Sequence, residues 1–284
     1  MDKNFKINMS ELKTNKPKIV IRKFSNSLQT QLSQPILKEF YAETFGTCLM
    51  ILIGLGALAQ TKLSSIDDKH LSDLLSPNIL AGLSLAIAIL VTGKITKAHF
   101  NPAISLAMLL TKQMKLIEFL VYTLAQFIGA FMGAALVFLV YFDAISDAKK
   151  SGSLTDISTI FVTLPNKSVS QVGIIADQII ATAVYLILIL AFTDKKNFQF
   201  SPEGTALMAG VALFSICSTL SYNSGSPLNP ARDFSPRFFI SLVTWNGQVY
   251  SNNNYYFWTP IVCPMIGSAI GTGVYSLVIS KNLK

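Results

Sequence analysis

Two copies of the tripeptide Asn-Pro-Ala are the residues in this chain with the clearest capacity for chemistry. Asn101-Pro102-Ala103 and Asn229-Pro230-Ala231 are each followed by an apolar segment too short to cross a membrane, 104–110 and 238–243. Proline suits the first turn of a helix, and the preceding asparagine can cap that turn with its side-chain oxygen. The amide N–H groups of Asn101 and Asn229 then serve as donors for the oxygen of a passing neutral molecule.

Glu43 and Asp177 are carboxylates inside long apolar runs, and a charge at such a depth is costly and usually functional. They occupy corresponding places in the two halves of the chain. We interpret them as acceptors that hold the backbone N–H groups of the two segments carrying the Asn-Pro-Ala motifs. The alternative is that each carboxylate faces lipid or reaches the membrane surface.

Catalytic and metal-binding sites are not predicted. The chain has two histidines, His70 and His99, and its Cys, His and carboxylate residues do not cluster at the spacing of a metal site or an activated nucleophile. We therefore expect no enzyme activity, no cofactor and no metal. The net charge of +8 does not indicate nucleic-acid binding, because most Lys and Arg residues flank apolar runs.

The elements that must position these residues are membrane spans. Of the 284 residues, 51% are hydrophobic and 13% are charged, which is too apolar for an ordinary soluble domain. Six segments are long and apolar enough to cross a hydrocarbon core of about 30 Å. They cover residues 36–60, 78–96, 115–142, 171–193, 204–222 and 255–279.

Basic residues are distributed unevenly around these segments. With a cytoplasmic N-terminus, sixteen Lys and Arg residues fall on the inner side and five on the outer side, which satisfies the positive-inside rule. We therefore predict a multi-pass membrane protein with both termini in the cytoplasm and a basic cytoplasmic tail over residues 1–35.

The two halves of the remaining chain repeat each other. Gly82 and Gly210 each precede the asparagine of their motif by 19 residues. Because each repeat, about 36–142 and 171–279, has an odd number of spans, the second copy enters the membrane from the opposite side. The predicted fold of residues 36–280 is an all-α membrane protein with six transmembrane helices and two re-entrant half-helices in an inverted repeat. Both half-helix N-termini then point at the midplane, where their partial positive charge disfavours cations.

The segments around the two motifs resemble the paired signatures of the aquaporin, or major intrinsic protein, family. They read His99-Phe100-Asn101-Pro102-Ala103 and Pro227-Leu228-Asn229-Pro230-Ala231-Arg232-Asp233-Phe234-Ser235-Pro236-Arg237. The resemblance covers about residues 36–280 and implies a homotetramer in a lipid bilayer, with one pore in each subunit. In this family the arginine at the position of Arg232 lines the outer constriction, donates hydrogen bonds to solutes and repels cations.

Several residues resemble the aquaglyceroporin branch of that family. Asp233 follows the arginine directly, Arg237 is basic, and Pro260-Ile261 lies in the sixth span. Cys217, twelve residues before Asn229, stands where water-selective members have a histidine. The resemblance implies passive diffusion of water, glycerol or urea, with protons and ions excluded.

The resemblance also implies a selectivity filter and a cytoplasmic vestibule. The filter positions are Ala81, Cys217, Ser226 and Arg232. Glycerol facilitators have aromatic rings at the positions of Ala81 and Ser226, so this chain lacks the apolar wall along which a carbon chain slides. Lys97, where the family mostly has glycine, is a second departure, and it is expected to line the vestibule with His99.

The loop between the fourth and fifth spans, residues 194–203, carries two aromatic side chains, Phe198 and Phe200. Water does not favour exposed rings, and we predict that the loop can close the cytoplasmic mouth as a lid, as it does in plant aquaporins. The alternative is that the rings lie in the lipid interface.

Two other functions are consistent with these motifs. A coupled secondary transporter also uses inverted repeats and broken helices, but it needs an ion site at the midplane. A closed-pore scaffolding or junctional member of the same family would carry the same residues.

The predicted location is the plasma membrane or an intracellular vesicle membrane. Asn166-Lys167-Ser168 is an acceptor sequence for N-glycosylation in the long outer loop.

Overall fold

The computed structural model describes residues 34–67, 75–153, 156–245 and 247–283. All regular elements within these residues are helices. From Lys38 onwards the described residues form one compact unit. The predicted basic tail lies almost wholly outside the described residues.

Eleven α-helices occur in the described residues, and short turns of other helix types flank the last of them. The α-helices are α1 Gln34–Asp67, α2 Leu75–Thr92, α3 Pro102–Leu110, α4 Leu116–Val140, α5 Phe142–Lys150, α6 Ser158–Phe161, α7 Gln171–Thr193, α8 Pro202–Thr219, α9 Pro230–Thr244, α10 Gln248–Tyr255 and α11 Thr259–Val274. The flanking turns are Tyr256–Trp258 before α11, and Tyr275–Ile279 and Ser280–Asn282 after it.

The six predicted spans correspond to α1, α2, α4, α7, α8 and α11. Five segments of the described chain have the length and hydropathy to cross a membrane, and they contain all of these helices except α8. Helix α8 is as long as α2, at 18 residues, but it starts with Pro202-Glu203-Gly204 and is less apolar. It packs along α2, and on another side it still presents apolar side chains such as Leu207 and Val211, which are about half exposed.

Both halves use the same close packing between their first and last helices. In the first half, a side chain at Gly129 of α4 would place its Cβ 2.3 Å from the carbonyl oxygen of Thr44 in α1. In the second half, a Cβ at Gly267 of α11 would lie 2.5 Å from the carbonyl oxygen of Ile179 in α7. Glycine therefore lets the backbones touch in both pairs, as small residues do in membrane helices. The repeat expected from the sequence is present in the packing.

Candidate pore

The two Asn-Pro-Ala asparagines cap the two short helices. The side-chain oxygen of Asn101 accepts a hydrogen bond from the backbone N–H of Ala103 at 2.8 Å, at the start of α3. The side-chain oxygen of Asn229 accepts from the N–H of Ala231 at 3.0 Å, at the start of α9. Each cap satisfies an N–H that would otherwise have no partner in the helix.

The same two asparagines also hold the opposite loop. Nδ2 of Asn101 donates to the carbonyl oxygen of Leu228 at 3.0 Å, and Nδ2 of Asn229 donates to that of Phe100 at 2.8 Å. The two half-helices therefore meet end to end through reciprocal hydrogen bonds. Because each Nδ2 carries two hydrogens, each asparagine keeps one for another acceptor.

The loops that lead into the half-helices share an unusual backbone. Ala98 and Phe100 have φ values of 53° and 50°, and the matching residues Ser226 and Leu228 have 45° and 52°. Residues other than glycine seldom adopt this left-handed region, and it costs free energy that the surrounding contacts must supply. Such conformations recur at functional sites.

Glu43 is the residue that holds the first of these loops. It is fully buried, and its Oε1 accepts from the backbone N–H of Phe100 at 2.6 Å and from Nε2 of Gln126 at 2.8 Å. Its Oε2 accepts from the hydroxyl of Thr96 at 2.8 Å. Helices α1 and α4 are thus tied to the strained loop by one carboxylate.

Asp177 holds the second loop in a different way. Its carboxylate accepts from the hydroxyl of Ser224 at 2.5 Å and from Nδ2 of Asn223 at 3.4 Å. These donors are side chains, whereas the sequence predicted backbone N–H groups.

The close packing of the glycines in α4 and α11 also aligns Thr44 with Ile179, so the residue equivalent to Glu43 is Gln178. Asp177 lies one residue before Gln178, and the two carboxylates are neither in equivalent positions nor bound to the same kind of donor.

One cavity of about 120 Å³ contains all four predicted filter residues, and we call it the Arg232 cavity. Its wall also includes Asn101 and Asn229. Arg232 follows the cap of α9 and donates from Nη1 to the carbonyl oxygen of Phe161 at 3.1 Å. Helix α6 thus fixes the guanidinium at the wall.

A buried ion pair stands behind Arg232. Nε and Nη2 of Arg237 donate to Oδ1 of Asp233 at 2.9 and 2.7 Å, and both side chains are at most 1% exposed. The other carboxylate oxygen accepts from the N–H and the hydroxyl of Thr163. Nη1 of Arg237 donates to the carbonyl oxygen of Val249. The predicted branch marker Asp233 and its partner Arg237 therefore together join α9 to the segments of Thr163 and Val249.

A second cavity of about 320 Å³ contains the two predicted vestibule residues Lys97 and His99, and we call it the Lys97 cavity. His99 also lines the Arg232 cavity, so the two cavities meet beside it. Nζ of Lys97 is 2.9 Å from Oε2 of Glu118 and donates to the carbonyl oxygen of Gln113. This lysine side chain is therefore held at the wall.

The aromatic side chains of the predicted lid do not line this cavity. Phe200 packs edge-on against Phe192 of α7, with ring centroids 6.0 Å apart, and Phe198 stacks on Phe200 at 5.0 Å. The ring of Phe198 is 64% exposed. The loop thus lies beside the mouth in this conformation.

Several wall residues were not predicted from the sequence, and two of them are polar side chains on different helices. Tyr185 of α7 and Asn78 of α2 both line the Arg232 cavity. Asn78 is three residues before Ala81, so a count along one helix face would have found it. Tyr185 lies on the same side of α7 as the buried polar residues Gln178 and Thr182, seven and three residues before it, so helical spacing from these polar residues was the signal that could have indicated it.

Comparison with known proteins assigns the family. The model of the major intrinsic protein family matches residues 30–275. Human aquaporin-9 is 37% identical over 254 residues, which cover 87% of this chain and 84% of the relative. Aquaglyceroporin-2 of Rhizophagus irregularis is 32% identical over 242 residues, 84% of this chain and 76% of the relative.

A solved structure agrees with these relatives. The X-ray structure of the aquaglyceroporin from Plasmodium falciparum matches with a TM-score of 0.78 at 30% identity, over 87% of this chain and 98% of that one. The chain therefore belongs to the major intrinsic protein family, whose members are membrane channels and not enzymes, and its relatives place it with the aquaglyceroporin-like branch.

Proposed function

We propose that this chain is a passive channel through which water and glycerol cross a membrane. The observation that carries the proposal is the wall of the Arg232 cavity, where Asn101, Asn229 and Arg232 lie together inside a bundle of apolar helices. The Lys97 cavity continues it on the other side of His99. The similarity to aquaglyceroporins supports the same class of permeant.

The pore chemistry suits neutral molecules that carry hydroxyl groups. The remaining amide N–H groups of Asn101 and Asn229 donate to the oxygen of water or of a solute, which replaces part of the hydrogen bonding lost on leaving bulk water. The N-termini of α3 and α9 and the charge of Arg232 make this region electropositive, so cations and protons meet a barrier. The described residues include no cluster of His, Cys, Asp and Glu that could hold a metal ion.

Urea is a further permeant in this proposal. The filter side chains at Ala81, Cys217 and Ser226 are small, so the opening beside Arg232 is wider than one framed by two rings. A planar solute somewhat larger than water then fits.

The Lys97 cavity is the cytoplasmic vestibule, in keeping with the excess of basic residues on that side.

Two further parts of the proposal, the assembly and the lid, rest on the family resemblance and on surface composition. The protein forms a homotetramer with one pore in each subunit. Large apolar side chains such as Leu90, Leu120 and Leu139 are exposed on α2 and α4, which fits contact with lipid or with other copies. Loop 194–203 can move from its place beside Phe192 to cover the vestibule.

Stopped-flow light scattering on proteoliposomes tests the proposal. We expect water, glycerol and urea to cross faster than in protein-free liposomes, with no proton current. A purified protein that binds lipid and assembles but conducts none of the three would be a closed scaffold, and the channel proposal would be wrong. The mass of the detergent-solubilised complex, from light scattering, tests the tetramer.

A further inference from the structure

The ring that borders the pore comes from α7 and not from the filter. Tyr185 lines the Arg232 cavity, and only 2% of its surface is exposed. Among the described residues of that wall it is the one with a phenyl or indole ring. The filter positions that carry rings in glycerol facilitators are Ala81 and Ser226 here, so aromatic surface is found deeper in the pore.

Helix geometry places Tyr185 at the point where the two cavities meet. Ile189 and Thr193 lie four and eight residues further along α7, on the same helix face, and both line the Lys97 cavity. Tyr185 is thus the last residue on this face before the wall passes from one cavity to the other. Leu85 and His99 line both cavities and mark the same level.

The hydroxyl of Tyr185 is available to a molecule in the pore. Buried tyrosine hydroxyls usually have a hydrogen-bond partner. Those of Tyr122 and Tyr256 donate to Glu39 at 3.0 Å and to the carbonyl oxygen of Ser224 at 2.9 Å. The hydroxyl of Tyr185 makes no hydrogen bond to protein within the described part of the chain.

We propose that Tyr185 is a specificity-determining residue of this pore. Its ring sets the width where the two cavities meet and supplies apolar surface for a carbon chain, while its hydroxyl binds a hydroxyl group of glycerol. Solutes are then selected at this level as well as at Arg232. The inference rests on the proposed channel function and adds to it a residue that the filter positions do not include.

Two variants distinguish the effect of the Tyr185 ring on pore width from the effect of its hydroxyl on glycerol binding. Tyr185→Phe keeps the ring and its packing and removes one hydrogen bond, so the ratio of glycerol to water permeability should fall roughly threefold to tenfold. Tyr185→Leu shortens the side chain and should raise the ratio of erythritol to glycerol permeability by about tenfold. Both ratios are measured in proteoliposomes and do not depend on the amount of protein inserted.

Tyr141→Phe is the matched control, because Tyr141 lines neither cavity and its hydroxyl is 3.4 Å from Gln60. It should leave both ratios unchanged. If wild type conducts water and glycerol and neither Tyr185 variant changes its ratio, the role of Tyr185 is wrong and the channel stands. If only Tyr185→Leu changes its ratio and Tyr185→Phe does not, the hydroxyl does not bind glycerol and only the width of the ring matters. If wild type conducts neither permeant, the channel proposal itself fails.

Discussion

Gly82 of α2 and Gly210 of α8 pack backbone against backbone. A Cβ at Gly82 would lie 2.4 Å from the carbonyl oxygen of Gly210, and a Cβ at Gly210 would lie 2.6 Å from that of Gly82. These are the glycines that precede the two Asn-Pro-Ala asparagines by the same 19 residues. The internal repeat thus brings its equivalent positions into contact where the two halves meet.

Gly82→Ala should push α2 and α8 apart and destabilise the protein by about 1–3 kcal/mol, the cost of overpacking in a closely packed interior. The measurement is the apparent unfolding midpoint in detergent. Gly56→Ala is the matched control, since a Cβ there has no atom within 4 Å. It should be neutral or stabilising, because alanine favours helix by about 1 kcal/mol. Equal midpoints for the two variants would contradict the packing argument.

Asp233→Ala should destabilise the protein far more than Glu118→Ala. Removing Asp233 leaves the buried guanidinium of Arg237 without its counter-charge, which costs about 3–5 kcal/mol. Removing Glu118 costs no more than about 1 kcal/mol, because its partner Lys97 is 40% exposed. The unfolding midpoint in detergent checks both. A smaller shift for Asp233→Ala than for Glu118→Ala would refute the buried pair as a structural element.

Arg232→Ala should admit cations and change the ranking of solutes. A unit charge about 8 Å from a permeating cation contributes about 2 kcal/mol at an effective dielectric of about 20, so its loss should raise cation flux about thirtyfold. Ion currents in planar bilayers measure the leak. Arg232→Lys keeps the charge and loses the planar fork, so it should still exclude cations. Unchanged ion exclusion and solute order in Arg232→Ala would show that the side chain only supports Phe161.

Cys217 should be the site at which a mercurial blocks the pore. It lines the Arg232 cavity, whereas Cys48 and Cys263 are 6% and 1% exposed and line neither cavity. Cys217→Ala should abolish the block of water flux, and Cys48→Ala and Cys263→Ala should keep it. If block persists in Cys217→Ala, the reactive thiol lies elsewhere and Cys217 does not face the permeant.

Shortening the loop through 198–200 should raise water flux at equal protein if the loop acts as a lid. Its rings gain little burial beside Phe192, and ordering about nine residues is entropically costly, so open and closed positions differ little in free energy. Trp245→Ser is the control, because Trp245 is a 91% exposed ring at the end of α9, outside this loop. An unchanged water flux in the shortened variant would show that the loop is not a lid and that its rings lie in the lipid interface instead.

Local sequence features determined much of this protein. Apolar length sets which segments can cross a bilayer, and α7 spans residues 171–193 as the sequence predicts. An Asn-Pro dipeptide before an apolar run favours a capped helix start, because asparagine suits the N-cap and proline the first helical position. The beginnings of α3 and α9 were predicted on this basis. The resemblance of these motifs to the aquaporin signatures implied Arg232 and the other filter positions, and these residues line one cavity.

Tertiary structure decided which distant atoms meet. Asp177 binds side chains 46 and 47 residues away, and Arg237 reaches the carbonyl oxygen of Thr163, 74 residues away. Such partners depend on how loops fold back over the bundle, which no local pattern encodes. The pore face of α7 is a further case: Gln178, Thr182 and Tyr185 lie on one side of the helix, but a sequence pattern does not tell whether that side meets a neighbouring helix or the pore. Only the packing of the other helices turns Tyr185 toward the cavity.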